Sequence, residues 1–362
     1  MNTIGKTITL TVFGESHGAS IGAVLDGLPA GEVIDWDGVR QEMARRAPGR
    51  NDMSTARVEK DAFVIQSGFF NGHTTGTPLC MVIQNGDHRS KDYDQLRHLM
   101  RPGHADYSGN IRYGGYNDYR GGGHFSGRLT APIVFAGAVA SQILARRGIT
   151  VGSHILQIQH VVDRRFSPVG ETAETLRSLK AETLPVLNKG CAPMMAEAIR
   201  AAKEDLDSVG GIIECMAVGL PAGVGDPMFD SVESQLSQMM FSIPAVKAIE
   251  FGDGFAFAGM KGSEGNDSFY YDGTAVKTRT NHNGGINGGI TNGMPVVFRI
   301  AVKPTPSISK PQETIDLDTK KNCTLEIKGR HDPCIVQRAV PVVEAAAAWT
   351  LLDLLLTAQQ GR

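Results

Sequence analysis

Glycine is the residue that most restricts what this chain can fold into. The sequence holds 43 glycines in 362 residues, and many of them cluster in a few short stretches. The clusters are Gly114-Gly115, residues 121–123 and residues 284–293. Two interpretations are open: tight turns between many short strands, or loops whose backbone comes close to a flat or phosphorylated ligand.

The composition restricts the class of partner and the compartment. Lys and Arg number 36 against 38 Asp and Glu, so we expect no nucleic acid or other bulk polyanion as a partner. The most apolar segment, 342–356, is too short to span a bilayer and is interrupted by Glu344 and Asp353. The N-terminus shows no basic apolar leader. We therefore expect a cytoplasmic protein with no membrane partner.

The five cysteines are odd in number and show no C-x-x-C spacing. This usage is typical of reduced thiols in a cytosolic protein and not of a disulfide framework or a zinc site. The histidines give no H-E-x-x-H motif and no regular spacing with carboxylates. We expect no metal site.

The hydrophobic patterns predict a mixture of short strands and helices. Strands are expected at 7–13, 21–26, 62–67, 79–84, 211–218 and 295–302. Helices are expected at 35–47, 128–147, 171–179, 194–206, 228–240 and 335–357. The irregular alternation favours an α+β or layered α/β sandwich over a doubly wound sheet. Nothing resembles a linker, so we expect one domain over residues 1–362.

The motif Gly14-Glu15-Ser16-His17-Gly18 follows the first predicted strand. It fits the G-x-S-x-G pattern of a serine hydrolase, whose elbow requires a helix after the turn. It also fits a loop in which a hydroxyl and an imidazole handle protons for a bound anion. The β-type run at 21–26, which contains Gly22, argues against the hydrolase.

Four further polar clusters lie in loops with Gly or Pro, and arginine recurs in most of them. They are the arginines at 40, 45, 46, 50 and 57, the motif Arg101-Pro102-Gly103-His104-Ala105-Asp106, the segment 121–128, and Arg330-His331-Asp332-Pro333. Arginine binds carboxylate and phosphate bidentately, so the set indicates a small polyanionic ligand. For any one of these arginines ordinary surface charge is the better explanation, and it is their recurrence in loops with Gly, His and Ser that favours a ligand.

His17 and His104 are the best acid–base candidates, because histidine exchanges a proton near neutral pH. The glycine loop at 281–289 is followed by Lys303-Pro304-Thr305-Pro306-Ser307. A lysine and two hydroxyls after a glycine loop suit a phosphate or a cofactor, although the pattern is neither a P-loop nor a Rossmann fingerprint.

These motifs, taken in order, resemble those of the chorismate synthase family. Three signatures are met: the segment from Gly14 to the Asp26-Gly27-Leu28-Pro29 turn, the segment 123–130, and Arg330-His331-Asp332-Pro333-Cys334 leading to Glu344. The motifs at 101–106 and 303–307 are similar as well. The resemblance runs from the first strand to the last helix.

The resemblance implies a reaction, a cofactor and an assembly. Chorismate synthases convert 5-enolpyruvylshikimate-3-phosphate to chorismate and phosphate by an anti-1,4-elimination, and they need reduced FMN without net redox change. The family fold is a single-domain β-α-β sandwich, usually assembled as a homotetramer. No long insertion suggests a flavin reductase, so we expect the monofunctional type, which does not reduce FMN with NADPH.

The resemblance also implies residue roles. His17 would assist departure of the substrate phosphate, and His104 would protonate or hydrogen-bond the reduced flavin. Asp332, with Ser16 and Ser126, would relay the substrate C6 proton that leaves through flavin N5. The implied substrate-binding residues are Arg46, Arg57, Arg101 and Arg128. The implied flavin-binding residues are His124, Phe125, Ser126, Pro244, Ala245, Gly288, Lys303, Pro304, Thr305, Pro306, Ser307 and Arg330.

Two departures from the family pattern bear on these roles. Many members have Arg-Ser-Ser-Ala-Arg where this chain has His124-Phe125-Ser126-Gly127-Arg128, and many have an arginine near Asp52, for which Arg50 could substitute. A flavin- or phosphometabolite-binding protein without catalysis is the main alternative. The retained His17, His104 and Asp332 argue against it.

Overall fold

The computed structural model describes residues 1–49, 53–54, 61–86, 97–327 and 332–360. Its strands are β1 Thr3–Ile4, β2 Thr9–Gly14, β3 Ser20–Asp26, β4 Phe63–Ser67, β5 Phe69–Phe70, β6 His73–Thr74, β7 Leu79–Gln84, β8 Thr150–Ile158, β9 Val161–Val162, β10 Gly211–Val218, β11 Val246–Phe251, β12 Phe269–Asp272, β13 Ala275–Thr278, β14 Ile286–Asn287, β15 Ile290–Thr291, β16 Val296–Val302, β17 Gln312–Asp316 and β18 Lys321–Leu325. Its α-helices are α1 Trp36–Arg46, α2 Asp106–Arg112, α3 Thr130–Ala145, α4 Ala173–Ser178, α5 Cys191–Glu204, α6 Val232–Phe241, α7 Gly262–Gly265 and α8 Val336–Gln360.

Two five-stranded antiparallel sheets form the outer layers. The first has the strand order β1-β2-β3-β7-β4, and the second has the order β11-β16-β10-β8-β9. In the first sheet Phe13 pairs with Gly22, and a Cβ at Gly22 would lie 2.4 Å from the Phe13 ring. Residue 22 is therefore small because the pleat is tightly packed there.

Helices α3 and α8 form the middle layer. They pack on each other, α3 also contacts β2 and β3 of the first sheet, and α8 contacts β8 and β10 of the second. A Cβ at Gly137 would lie 2.2 Å from the Cα of Ala345, so the two helices touch at small residues. The result is the predicted α/β sandwich, with the order sheet, helices, sheet.

The two central helices are apolar around most of their circumference, as expected for helices buried between two sheets. The segments Gly127–Ala145 and Val336–Gln360 are long and apolar enough to cross a membrane by length and composition, and they are 78% and 94% buried within the protein. One continuous core joins them to both sheets.

The predicted elements are confirmed with shifted ends, and one helix needs correction. The segment expected as a helix over 228–240 is a short 3₁₀ turn at Met228–Asp230 followed by α6, which begins at Val232. Ser231 separates them because its hydroxyl accepts the N–H of Ser234 as an N-cap. Several elements were not predicted, among them β8, β11, the β17–β18 hairpin and α2.

Candidate active site

The loop between β2 and β3 carries Ser16 and His17, and both are buried. Ser16 Oγ lies 2.8 Å from His17 Nδ1 and donates to the carbonyl oxygen of Gly121 at 3.1 Å. Ser16 Oγ and His17 Nδ1 are thus hydrogen-bonded to each other, and this contact orients the His17 ring. The turn is followed by the strand β3 and not by a helix, so the hydrolase elbow is absent.

The glycines of segment 121–123 form a turn in which all three residues have positive φ, at 58°, 84° and 53°. A Cβ at Gly121 would lie 2.1 Å from the His17 ring. A Cβ at Gly122 would lie 3.3 Å from His104 Cε1 and Nε2. Glycine is required here by the backbone conformation and by the close approach. The turn therefore passes between the two predicted acid–base histidines.

His104 is oriented by a carboxylate. Its Nδ1 lies 2.6 Å from Asp106 Oδ1, and Arg101 binds the same carboxylate through Nε and Nη2, both at 2.7 Å. Burial opposes ionisation of Asp106, but the hydrogen bonds from Arg101 and His104 outweigh it and hold its pKa well below the ordinary value. An ionised Asp106 accepts Nδ1–H of His104 and fixes the tautomer of the ring.

The predicted flavin segment 303–307 packs against the same loop. Lys303 Nζ donates to the carbonyl oxygen of Gly103, and Arg101 Nη1 lies 3.4 Å from Ser307 Oγ. The backbone N–H of Lys303 donates to the carbonyl of Ala245 at 2.9 Å, so segment 244–245 belongs to the same cluster.

Thr305 has an unusual environment in this segment. Its Oγ1 is buried and has no hydrogen-bonding partner among the residues that the structure describes. A buried hydroxyl without a partner is costly, and a bound polar ligand would supply one. Thr305 therefore fits a ligand-binding segment.

Two of the predicted substrate-binding arginines share one carboxylate. Asp61 Oδ2 accepts Nε and Nη2 of Arg46 at 3.1 and 2.6 Å, and Asp61 Oδ1 accepts Nη1 of Arg128 at 2.8 Å. Arg46 and Asp61 are almost completely buried. Direct contact of Arg46 and Arg128 with a substrate stays a prediction.

Asp332 lies near this arginine pair, and its carboxylate bonds to Arg338 Nη1 in α8. Arg338 Nε also donates to the carbonyl of Arg46 at 3.0 Å. Asp332 precedes the first residue of α8 by four positions, so it is not the N-cap of that helix. Burial raises the pKa of Cys334 to about 12, so this thiol cannot exchange protons near neutral pH.

Segment 124–126 was predicted to contact the flavin, and its side chains contact other parts of the protein. His124 Nδ1 lies 2.7 Å from the carbonyl oxygen of Gly14, and the Phe125 ring covers Gly109 of α2, where a Cβ would lie 2.6 Å away. Ser126 Oγ accepts the N–H of Arg128 at 3.3 Å and caps the short 3₁₀ turn that leads into α3. Their contacts with a flavin stay predictions.

For some predicted residues the structure describes no contact with the cluster. Gly288 lies in the turn of the β14–β15 hairpin, and a Cβ there would have no described atom within 4 Å. In the preceding loop Asn281 is buried and bonds to the backbone of Pro168, Gly285 and Pro295, so its polar groups hold the loop together. Arg57 and Arg330, and also Arg50, Asp52 and His331, lie outside the described residues.

A cavity of about 210 Å³ lies at the other end of α8, lined by Lys6, Asp226, Asp230, Gln235 and Asp353 among others. Three carboxylates would repel an anionic ligand. The Asp353 carboxylate accepts the backbone N–H groups of residues 6–8, which anchors the N-terminal strands. This cavity does not suit the polyanion that the arginine loops predict.

Four residues that complete the cluster were not predicted as site residues: Asp61, Asn85, Asp106 and Arg338. Only Asp106 carried a signal, because it ends the motif at 101–106. The others are single polar residues at strand ends or in the first turns of α8. Two oriented histidines, buried arginines and a lysine thus form a candidate enzyme active site, and these residue types suit acid–base chemistry on a small polyanion.

Comparison with known proteins gives the family. The chorismate synthase family model matches residues 8–356. The chorismate synthase of Korarchaeum cryptofilum (strain OPF8) is 44% identical over 99% of this chain and 98% of its own length. That of Thermococcus gammatolerans is 46% identical over 97% of each chain. A chorismate synthase crystal structure matches with a TM-score of 0.77 and 29% identity, covering 98% of this chain and 93% of the other.

The chain belongs to the chorismate synthase family. It has the activity of that family: it is a lyase with a small-molecule substrate, and it acts in aromatic amino acid biosynthesis. The match of the crystal structure across nearly the whole chain agrees with the observed sandwich.

Proposed function

We propose that this chain eliminates phosphate from 5-enolpyruvylshikimate-3-phosphate in the anti-1,4 sense, in the presence of reduced FMN. The observation that carries the proposal is the 121–123 turn, which has His17 on one side and His104 on the other. We also propose that residues 1–362 form one domain, supported by the continuous core, and that the enzyme works in the cytoplasm as a homotetramer.

The residues present fit FMN. The unpartnered hydroxyl of Thr305 fits a polar ligand. Lys303 and Ser307 lie in the same segment, and the backbone N–H of Lys303 bonds to the carbonyl of Ala245. These residues, with segment 124–126, would hold the flavin and its phosphate, and Gly288 and Arg330 would complete the site. When bound, reduced FMN would supply an electron-rich ring system next to the substrate.

His17 is assigned to the departing phosphate. Its Nδ1 is hydrogen-bonded to Ser16 Oγ, so Nε2 is the ring nitrogen that would carry the proton to the leaving group. A proton at that position stabilises the charge that develops as the carbon–oxygen bond breaks.

His104 is assigned to the cofactor side of the turn. The Asp106 carboxylate holds Nδ1–H in either protonation state of the ring, and Arg101 holds Asp106 in place. Nε2 therefore faces Gly122 and presents either a lone pair or a proton there. The role of His104 follows from the orientation of its ring, which Asp106 and Arg101 fix.

Asp332 is assigned as the final proton acceptor. Arg338 Nη1 holds its carboxylate in place, and a carboxylate oxygen can accept a proton. Ser16 and Ser126 would carry the proton part of the way. Arg46, Arg57, Arg101 and Arg128 would neutralise the substrate carboxylates and phosphate.

The test is anaerobic turnover of the substrate with reduced FMN, followed by chorismate absorbance and phosphate release. His17→Ala and His104→Ala should each lower turnover by about 10²–10³-fold, the usual range for acid–base groups. The control is His73→Ala, an exposed histidine on β6, which should keep wild-type turnover. Wild-type enzyme that releases no phosphate under these conditions contradicts the proposal.

A further inference from the structure

Asp61 is a buried carboxylate that holds two guanidinium groups at once. Its two oxygens are divided between them: Oδ2 binds Arg46 and Oδ1 binds Arg128. Asp61 lies two residues before the start of β4, whereas Arg46 ends α1 and Arg128 precedes α3. One side chain therefore sets the relative position of arginines from two different elements.

Asn85 extends this network to the catalytic loop. Its Oδ1 accepts Arg128 Nε at 2.8 Å. Its Nδ2 donates to the carbonyl oxygens of Glu15 and Gly18, at 3.0 and 2.9 Å. These two carbonyls flank Ser16 and His17. The position of Arg128 is thus tied to the loop that carries the proposed phosphate-side histidine.

We propose that Asp61 and Asn85 are positioning residues, which hold Arg46 and Arg128 in register with the Ser16–His17 loop for a substrate that carries several anionic groups. The inference rests on the proposed function. Arginine binds anions through its rigid planar guanidinium group, so the strength of binding depends on how that group is oriented. If the guanidinium group is held in place before the substrate binds, binding does not have to offset the entropy lost in ordering the side chain.

The alternative is that Asp61 only stabilises the fold. A buried ion pair is by itself weak evidence for stability, although removing one partner is strongly destabilising. If Asp61 only stabilised the fold, the hydrogen bonds from Asn85 to the carbonyls of residues 15 and 18 would have no evident purpose. The two interpretations predict different values of KM for the substrate in the variants. Loss of a purely stabilising residue would leave the KM of the molecules that remain folded unchanged.

The first variant is Asp61→Asn. Asp61 has a φ of 44°, and Asn tolerates this left-handed conformation better than other residues do. The variant keeps the shape and loses the shared charge. We expect kcat/KM to fall by about 100-fold, mostly through a higher KM, the size typical of misplaced positioning groups.

The second variant is Asn85→Ser, which is milder and decides the matter if Asp61→Asn does not fold. It shortens the link between Arg128 and the catalytic loop, and we expect kcat/KM to fall by about tenfold, corresponding to one charge-assisted hydrogen bond. The matched control is Glu214→Gln. Glu214 is a buried carboxylate that pairs with Arg299 in the second sheet, so its loss should lower the thermal midpoint and leave KM unchanged.

The outcomes separate the inference from the proposed function. Active wild-type enzyme, together with a KM within twofold of wild type in each variant that folds, overturns the positioning role. A rise in KM for Glu214→Gln equal to that of Asp61→Asn overturns it as well, because the effect would then be general destabilisation. Wild-type enzyme that neither binds nor converts the substrate in calorimetry and turnover overturns the proposed function and this inference with it.

Discussion

At the scale of single residues, the glycines, which have no side chain, shape the site as much as the polar groups do. The turn at 121–123 brings Ser16 and His17 close to His104 because the backbone occupies the space that a side chain would need. Sequence alone could indicate that glycine clusters mark either turns or close approach to a ligand. The structure shows a third use, in which the glycine backbone closely approaches the side chains of His17 and His104.

Gly121→Ala tests this packing. The new Cβ would fall 2.1 Å from the His17 ring and 2.6 Å from Ser16 Oγ, at a φ of 58°. We expect turnover to fall by at least about 100-fold through displacement of His17, with a loss of stability of about 1–2 kcal/mol from backbone strain.

Gly72→Ala is the matched control. Its φ is 83°, and a Cβ there would meet no atom within 4 Å. It should therefore show the strain without the loss of turnover. Equal turnover in the two variants would mean that the contact between Gly121 and His17 is unimportant. Turnover and chemical denaturation of both proteins make the comparison.

Most residues that sequence analysis located lie in motifs, and of those that it missed only Asp106 does. Ser16, His17, Arg101 and His104 stand in loops punctuated by glycine, which made them visible. Asp61, Asn85 and Arg338 are each one polar residue beside an apolar run, where a surface position is the ordinary expectation. Only contacts between residues far apart in sequence reveal their roles.

At the scale of elements, most predicted strands and helices were found because their apolar periodicity is local information. Strand β8 was missed because Gly152, Ser153 and His154 interrupt the apolar pattern. The structure explains the interruption. His154 pairs with Glu214 across to β10, and Glu214 pairs with Arg299 of β16, so partners on other strands satisfy the polar residues.

The buried polar residues His154, Glu214 and Arg299 predict that the stability of the protein depends on pH. Burial of His154 disfavours its charged form, but the Asp163 and Glu214 carboxylates beside its two ring nitrogens outweigh burial, so its pKa lies above the ordinary histidine value of about 6.5. A raised histidine pKa stabilises the folded state fully below 6.5, and this stabilisation is lost as pH rises through the folded-state pKa. The pKa values of Asp163 and Glu214 are lowered despite their burial, because His154 is a hydrogen-bond partner of each, so their contribution is lost only in acid.

Denaturant unfolding between about pH 6 and pH 9 measures the effect. The free energy of unfolding of the wild type should fall over this interval, and that of His154→Gln should fall less. His73→Gln, at an exposed position, should keep the wild-type slope. Parallel curves for the wild type and His154→Gln would show that His154 does not titrate in this range.

At the scale of the whole molecule, the layer order could not be worked out from local patterns. Strand order β11-β16-β10-β8-β9 joins segments far apart in the chain, and such pairing depends on contacts that no single window contains. The family resemblance predicted the sandwich architecture. The buried faces of α3 and α8 explain this architecture physically, because each helix needs apolar neighbours on both sides.

The surface of the molecule bears on the proposed homotetramer. Large aromatic side chains are exposed on the β12–β13 hairpin and the 3₁₀ turn before it: Phe269 is 62% exposed, Tyr271 79% and Phe255 84%. Phe269 and Tyr271 are two residues apart in β12 and so lie on the same face of the strand. Exposed apolar groups clustered in this way are typical of surfaces that bind another protein.

We therefore expect a particle in solution with four times the mass of the 38.7 kDa chain, measured by sedimentation equilibrium. The double change Phe269→Ser and Tyr271→Ser should shift the distribution toward smaller species, because it removes apolar area that a neighbouring chain would bury. Phe70→Ser alters an equally exposed aromatic residue on β5 and should leave the mass unchanged. A monomeric wild type, or a double variant with the same mass as the wild type, would exclude this hairpin as the assembly surface.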